Sequence, residues 1–244
     1  MRAWLTKAIE AGLDLSGDAE GYLRGRGLTG SVIRELGLSQ WVPPESAAPD
    51  ATFEERYGKG GRVLAGRIVI PFLSPRGKLL GVEVRSWEWG HDKRITDYRL
   101  RECAWNRVFI GLTPAAMQRI WDGGDVWVVE GLFDRVLTRI VPDKDVVLAT
   151  VRAKLSDAHV EFFRRHLRKG AKVNMVYDND ETGRKQTDGW DDEKTGKRRW
   201  GALERLDRVS VPCRDVPYRG GKDPGVIWDN GGEEALRRAF AHVI

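Results

Sequence analysis

Cysteine and histidine are scarce in this chain: of 244 residues two are cysteine, Cys103 and Cys213, and four are histidine, His91, His159, His166 and His242. A structural zinc site needs about four such ligands in paired short spacings, and these residues have no such neighbours. Neither a zinc ribbon nor a disulfide framework can be built, so no zinc is expected in this chain. Long apolar runs are also missing; none approaches the ~20 residues that span a bilayer. The N-terminal stretch is broken by Arg2, Lys7, Glu10, Asp14, Asp18 and Glu20, which leaves no uninterrupted apolar core for a signal peptide. No membrane contact is expected, and the expected compartment is the cytoplasm. Internal repeats and low-complexity tracts are absent as well.

What is present reads as globular. Hydrophobic residues make up 41% and charged residues 32%, with a net charge of +5. That sign is compatible with a polyanionic partner without requiring one. Ten tryptophans is a high count, and most are expected in the core, with base stacking the minority role for any one of them.

The hydrophobic rhythm changes along the chain. Trp4, Leu5, Ala8, Ile9 and Leu13 recur at helical spacing, followed by short helical pieces at Ala19 to Arg24 and Val32 to Leu36. Pro43-Pro44 opens a linker or surface loop. Arg67 to Leu73 and Leu79 to Ser86 read as strands joined by a turn at Ser74-Pro75-Arg76-Gly77. Trp87 to Arg101 is polar and irregular. From Thr113-Pro114, a cap followed by proline in the first turn, apolar strands alternate with helices. Strands are expected at Asp125 to Val129, Asp145 to Thr150 and Lys172 to Tyr177, and helices at Leu132 to Ile140 and from Ser156 to about Arg168. This alternation predicts an α/β fold with a central parallel sheet flanked by helices, preceded by an N-terminal mixed α+β subdomain. Thr187 to Arg199 reads as an inserted hairpin or mobile loop, Val209 to Val211 as an outer strand, and Glu233 to Val243 as an amphipathic terminal helix.

Two acidic clusters fall at the carboxyl ends of the expected strands, where open α/β sheets place their ligands. In Val128-Val129-Glu130-Gly131-Leu132-Phe133-Asp134, Glu130 ends a strand, Gly131 allows the turn, and Asp134 lies one helical turn on. In Tyr177-Asp178-Asn179-Asp180, the two aspartates project the same way from extended backbone. Clustered carboxylates repel and resist desolvation unless a cation neutralises them, and an all-oxygen donor set suits Mg²⁺ or Mn²⁺. Such an ion polarises phosphoryl oxygens and acidifies an attacking hydroxyl. The bland alternative is that strand-end acids merely cap the helices that follow them.

Glu130-Gly131 with Asp134, followed by Asp178-Asn179-Asp180, resembles the TOPRIM domain shared by primases, topoisomerases and some nucleases. The wider chain is similar to the DnaG-type bacterial and phage primases. Tyr22-Leu-Arg-Gly-Arg-Gly-Leu28 resembles their helical entry segment. Gly66-Arg-Ile-Val-Ile-Pro-Phe72, Pro75-Arg-Gly-Lys-Leu-Leu-Gly81 and Arg85 resemble their β subdomain. Val108-Phe-Ile-Gly-Leu112, Leu155-Ser-Asp-Ala-His159, Asp180-Glu-Thr-Gly-Arg-Lys185 and Lys222-Asp223-Pro224 match later segments in the family's order. The resemblance implies an N-terminal helical and β-rich subdomain over 1–112, a TOPRIM catalytic subdomain over 113–218 and a C-terminal helical segment over 219–244.

The family's activity is metal-dependent, template-directed synthesis of short RNA primers on single-stranded DNA. By the resemblance, Glu130, Asp178 and Asp180 are catalytic and hold two or more Mg²⁺ or Mn²⁺ ions, with Asp134 and Asp223 in the same pocket. Arg85, Lys93, Arg94, Arg99, Lys154, Arg184, Lys185 and Lys222 would contact ribonucleoside triphosphates or template. A solvated charged loop is the plain alternative for the basic residues. Asp97-Tyr-Arg-Leu-Arg101 departs from the family's lysine-bearing nucleotide segment, Val151-Arg-Ala153 replaces a Leu-Gly-Thr loop, and Asn179 stands for a glycine, in a residue type that still tolerates unusual backbone angles. Neither the family's zinc ribbon nor its helicase-binding domain is expected here. The chain is expected to be either an excised fragment or a phage or mobile-element primase whose zinc-bearing or helicase partner is a separate chain, and Met1 ahead of a helical segment favours a complete product. A TOPRIM-type nuclease and a non-catalytic single-stranded-DNA-binding replisome scaffold are the competing readings.

Overall fold

A computed structural model describes residues 14–40, 67–74, 76, 79–85, 98–99, 109–141, 146–150 and 154–243. The expected Trp4–Leu13 helix, the Pro43-Pro44 loop and most of the Trp87–Arg101 stretch lie outside them. The chain forms two compact units, Met1–Phe72 with Leu79–Cys103, and Leu73–Lys78 with Ala104–Ile244.

The first unit holds helices α1 (Gly17–Gly25) and α2 (Gly30–Glu35), started by Ser16 and Thr29, whose hydroxyls accept the Ala19 and Val32 N–H groups. Its strands β1 (Ser39–Gln40), β2 (Ile68–Leu73), β3 (Leu79–Arg85) and β4 (Tyr98–Arg99) form a sheet in that order. The β1–β2 and β3–β4 pairs are antiparallel.

The second unit is built on a parallel sheet. Helix α3 (Pro114–Trp121) starts at Thr113, whose Oγ1 accepts the Ala116 N–H, with proline in its first turn. Then come β5 (Val126–Val129), α4 (Leu132–Thr138), β6 (Val146–Ala149), α5 (Asp157–His166), β7 (Val173–Val176) and α6 (Glu181–Asp188). The chain continues through β8 (Trp190–Asp192), β9 (Lys197–Arg199), α7 (Ala202–Asp207), β10 (Cys213–Asp215) and α8 (Pro224–Phe240). The sheet order is β10-β7-β5-β6, with every neighbouring pair parallel. Because side chains alternate along a strand, Val126 and Val128 join Val146, Leu148, Val173 and Met175 in one core with Met117, Ile120 and Phe163 of α3 and α5. The opposite face is covered by α4 and α8; Trp127 packs against Phe240, ring centroids 6.3 Å apart. Burial on both faces is why these strands read as continuous apolar runs.

Two expectations needed correction. Val209 to Val211 is not a strand. Ser210 has φ 57° and the Val211 N–H bonds back to the Leu206 carbonyl, closing the end of α7, so the outer strand falls later, at β10. The expected terminal helix from Glu233 is present, and α8 carries a further helical stretch ahead of it, capped by Asp223 and set off where Gly231 (φ −176°) and Gly232 (φ 61°) leave helical geometry. Gly131 is not needed for a special turn: its φ of −126° suits any residue. Its lack of a side chain instead leaves room for Asp134, whose Oδ2 would lie 3.0 Å from a Cβ there. Of the 187–199 segment, Thr187 and Asp188 close α6 and the antiparallel β8–β9 hairpin follows.

Leu148 is fully buried in β6. Leu148→Ala should therefore lower unfolding stability by about 2–5 kcal/mol, read by urea denaturation at constant m-value. A loss under about 1 kcal/mol would contradict this packing.

Candidate active site

All five acidic residues singled out by sequence come together around the carboxyl ends of β5 and β7. Glu130 follows β5 directly, and its Oε1 accepts the Asp178 backbone N–H at 3.4 Å. This bond ties the ends of two adjacent strands. Burial, then the charge of Asp178, push the Glu130 carboxyl up to about 8, with Asp134 and Asp180 adding to the rise. Burial, then Asp134, Asp223 and Asp180, push Asp178 up to about 7, with Lys222 opposing. Glu130 and Asp178 therefore both feel the neighbouring acids.

Three of the acids also cap helices, as the plain reading of strand-end acids expects. Asp180 starts α6, its Oδ1 accepting the Gly183 N–H at 2.8 Å. Asp223 starts α8 through the Val226 N–H at 2.8 Å, and Asp134 reaches back to the Gly131 N–H at 3.1 Å. Each capping bond occupies one oxygen, and the helix N-termini favour negative charge beside them. Glu130 and Asp178 begin no helix and carry the raised pKa values.

Lys222 belongs to the same site. Its Nζ lies 2.9 Å from Asp180 Oδ2, and the Gly183 N–H, then Lys222, hold the Asp180 carboxyl below the usual carboxylate range. Its carbonyl accepts the Asn179 N–H at 2.7 Å, tethering the Asp178–Asp180 loop to the start of α8. Two further residues shape the loop and carried no clear sequence signal for that role. Buried Tyr218 donates its hydroxyl to the Lys222 carbonyl at 2.8 Å and lies 3.3 Å from the Tyr177 carbonyl. Gly183 is the other: a Cβ there would fall on the Asp178 carbonyl oxygen, so α6 can start this close to β7 only with glycine. Asn179 needs no left-handed angle, since Ser210 is the one non-glycine at positive φ among the described residues.

The remaining basic candidates divide. Arg184 donates to Asn179 Oδ1 at 2.7 Å and lines a polar pocket with Asp188 and Asp215 behind the loop. Lys185 is paired along its own helix with Glu181 at 2.5 Å, and Lys154 is exposed. Arg85 and Arg99 lie on β3 and β4 of the other unit, and Lys93 and Arg94 fall outside the described residues.

The donor set of Glu130, Asp134, Asp178, Asp180 and Asp223 fits a hard divalent cation in that it is all oxygen. Among the described residues, no three Asp, Glu, His or Cys side chains close on a common point as a bound ion would require. Mutual repulsion, the capping bonds and the Lys222 ammonium on Asp180 account for that open arrangement.

The raised carboxyls have a consequence for stability. A carboxyl with a folded-state pKa above its unfolded value binds more protons in the folded state, so its contribution is complete below about pH 4 and lost as pH rises through the folded pKa. In chelator, the melting temperature should fall between about pH 5 and pH 8, and Glu130→Gln should flatten the upper part of that fall. A melting temperature that rises steadily across this window, with Glu130→Gln parallel to wild type, would contradict the assignment.

No protein-family model and no curated protein sequence matches this chain. Solved structures do. The Aquifex aeolicus primase comprising zinc-binding and RNA polymerase domains superposes with a TM-score of 0.70 at 22% identity, covering 99% of this chain and 60% of that one. The RNA polymerase domain of Mycobacterium tuberculosis primase DnaG, in complex with double-stranded DNA, gives 0.67 at 17% identity, covering 98% and 77%. A DnaG primase catalytic domain bound to single-stranded DNA gives 0.62 at 19% identity, covering 94% and 73%. This chain thus spans under two thirds of the Aquifex protein and about three quarters of the isolated domains, and its fold is that of the primase RNA polymerase domain.

Proposed function

We propose that this chain is the catalytic core of a DnaG-type primase, joining ribonucleotides on a single-stranded DNA template at a TOPRIM-type site. One observation carries the reading: Glu130, Asp134, Asp178, Asp180 and Asp223 converge electrostatically at the strand ends of a primase-like fold. These five carboxylates would hold Mg²⁺ or Mn²⁺. When bound, such ions supply charge stabilisation for a triphosphate and a lowered pKa for a primer 3′-hydroxyl.

The chain's own groups prepare that chemistry. Glu130 and Asp178 retain protons near neutrality in the metal-free protein and give them up to a cation. Capping bonds at Asp134, Asp180 and Asp223 fix one oxygen of each carboxylate and orient the other. Lys222, beside Asp180, is placed to meet triphosphate oxygens; Arg184, through Asn179, steadies the loop between the two aspartates. By the family resemblance, Lys154, Lys185, Arg85, Lys93, Arg94 and Arg99 would be further contacts to nucleotide or template. A zinc-bearing or helicase chain would supply start-site choice or recruitment.

The test is primer synthesis from ribonucleoside triphosphates on single-stranded DNA with Mg²⁺ or Mn²⁺, comparing wild type with Asp178→Ala/Asp180→Ala. Wild type should yield short RNA products, and the double variant at least about a hundredfold less. Shortening of the input DNA without RNA products would point to a nuclease. Binding without either product, including with a zinc-bearing partner added, would leave only a scaffold.

A further inference from the structure

The opposite end of the sheet carries a second feature that the carboxylate site does not use. Helices α3 and α5 lead into β5 and β7 and so finish at the amino ends of those strands. With strands rising ~3.3 Å per residue, this end is separated from the Glu130 side by roughly 13 Å of sheet. Here Trp121, the last residue of α3, is 43% exposed although its neighbours Met117 and Ile120 are buried. Its indole N–H points to His166 Nδ1 at 3.5 Å, and the two ring centroids are 6.3 Å apart. The Phe162 ring lies 5.0 Å beyond His166. Three rings from two helices thus make a partly open aromatic surface.

Cations surround it. The segments 119–125 and 161–172 contain six basic residues against three acidic ones. Glu161 is taken by Arg164 and Arg165, and Asp125 by Lys172. Asp122 accepts the Gln118 amide at 2.8 Å. Arg168 donates to the Trp121 carbonyl at 3.0 Å, which holds a guanidinium at the edge of the rings. No carboxylate among the described residues pairs with Arg119, Arg168 or Lys169, and all three are exposed.

We propose that the Trp121–Phe162–His166 surface, with Arg119, Arg168 and Lys169, is a second single-stranded nucleic-acid contact, apart from the carboxylate cluster. Each nucleotide offers one flat base and one negative phosphate, which matches an open indole bordered by uncompensated cations. An acidic peptide would satisfy the cations but leaves the indole face without a ring to stack on. Strand held here is gripped without base readout, on a surface remote from the site that does chemistry. The proposal goes beyond primer synthesis, since the contact exists whether or not the chain polymerises nucleotides.

Fluorescence anisotropy with labelled oligo(dT) of about ten nucleotides, in chelator, tests it. Trp121→Ala should weaken binding roughly five- to a hundredfold, and Trp121→Phe should restore most of that loss. Arg119→Glu/Lys169→Glu alters two exposed side chains and leaves the rings in place. It should lower the slope of log affinity against log salt by about one to two. Asp178→Ala/Asp180→Ala, which tests catalysis, should leave the Trp121 dependence intact, so the two proposals fail separately. Unchanged oligo(dT) affinity and salt slope in all of the Trp121 and charge variants would overturn the proposal. So would variants that lose binding of a polyglutamate peptide while keeping that of DNA.

Discussion

Negative charge gathered where strands end is the constraint on which the rest of this molecule turns. Carboxylates brought together and half buried repel one another, and in water they would separate. The chain holds them by covalent position and by bonds that each use part of a carboxylate. Glu130 and Asp178 are fixed by adjacent parallel strands and joined by one backbone N–H. Asp134, Asp180 and Asp223 are fixed by the helix starts they cap. Helix N-termini and the Lys222 ammonium offset part of the repulsion, and protons on Glu130 and Asp178 offset more.

The surrounding fold follows from that arrangement. A parallel sheet covered on both faces delivers strand ends to one side, which antiparallel pairing would not do. The loop after β7 is tied to the start of α8 by the Asn179–Lys222 backbone bond, with Tyr218 buried beneath. Gly183 lets α6 begin against that loop without a side chain in the way. At the opposite end of the same sheet, Arg119, Arg168 and Lys169 are exposed beside the Trp121, Phe162 and His166 rings.

Much of this was legible in the sequence because the signals were local. Thr113-Pro114 and Ser156 mark their helices through hydroxyl caps found in place, and the apolar runs ending at Val129 and Val176 mark buried parallel strands. Glu130 could be placed because it follows such a run directly, and Asp178 because only Tyr177 separates it from one. What was not legible depended on contacts between distant segments. Tyr218 acts through carbonyls of Tyr177 and Lys222, and nothing near it in the chain announces that. The Val209–Val211 run looked like a strand until the left-handed Ser210 turned it into the close of a helix. Asp223 was identified as an acid of the site, but its second role, starting α8 well ahead of Glu233, was hidden by the Gly231-Gly232 pair.

The most direct test of the central claim is calorimetric titration of Mn²⁺ at pH 7 in two buffers of different ionisation enthalpy. If the raised carboxyls of Glu130 and Asp178 bind the cation, saturable binding should release about one proton per chain. Glu130→Gln and Asp178→Asn should each weaken it at least about tenfold and reduce that release. Binding of equal strength in both variants with no proton released, or no binding at all, would contradict the account.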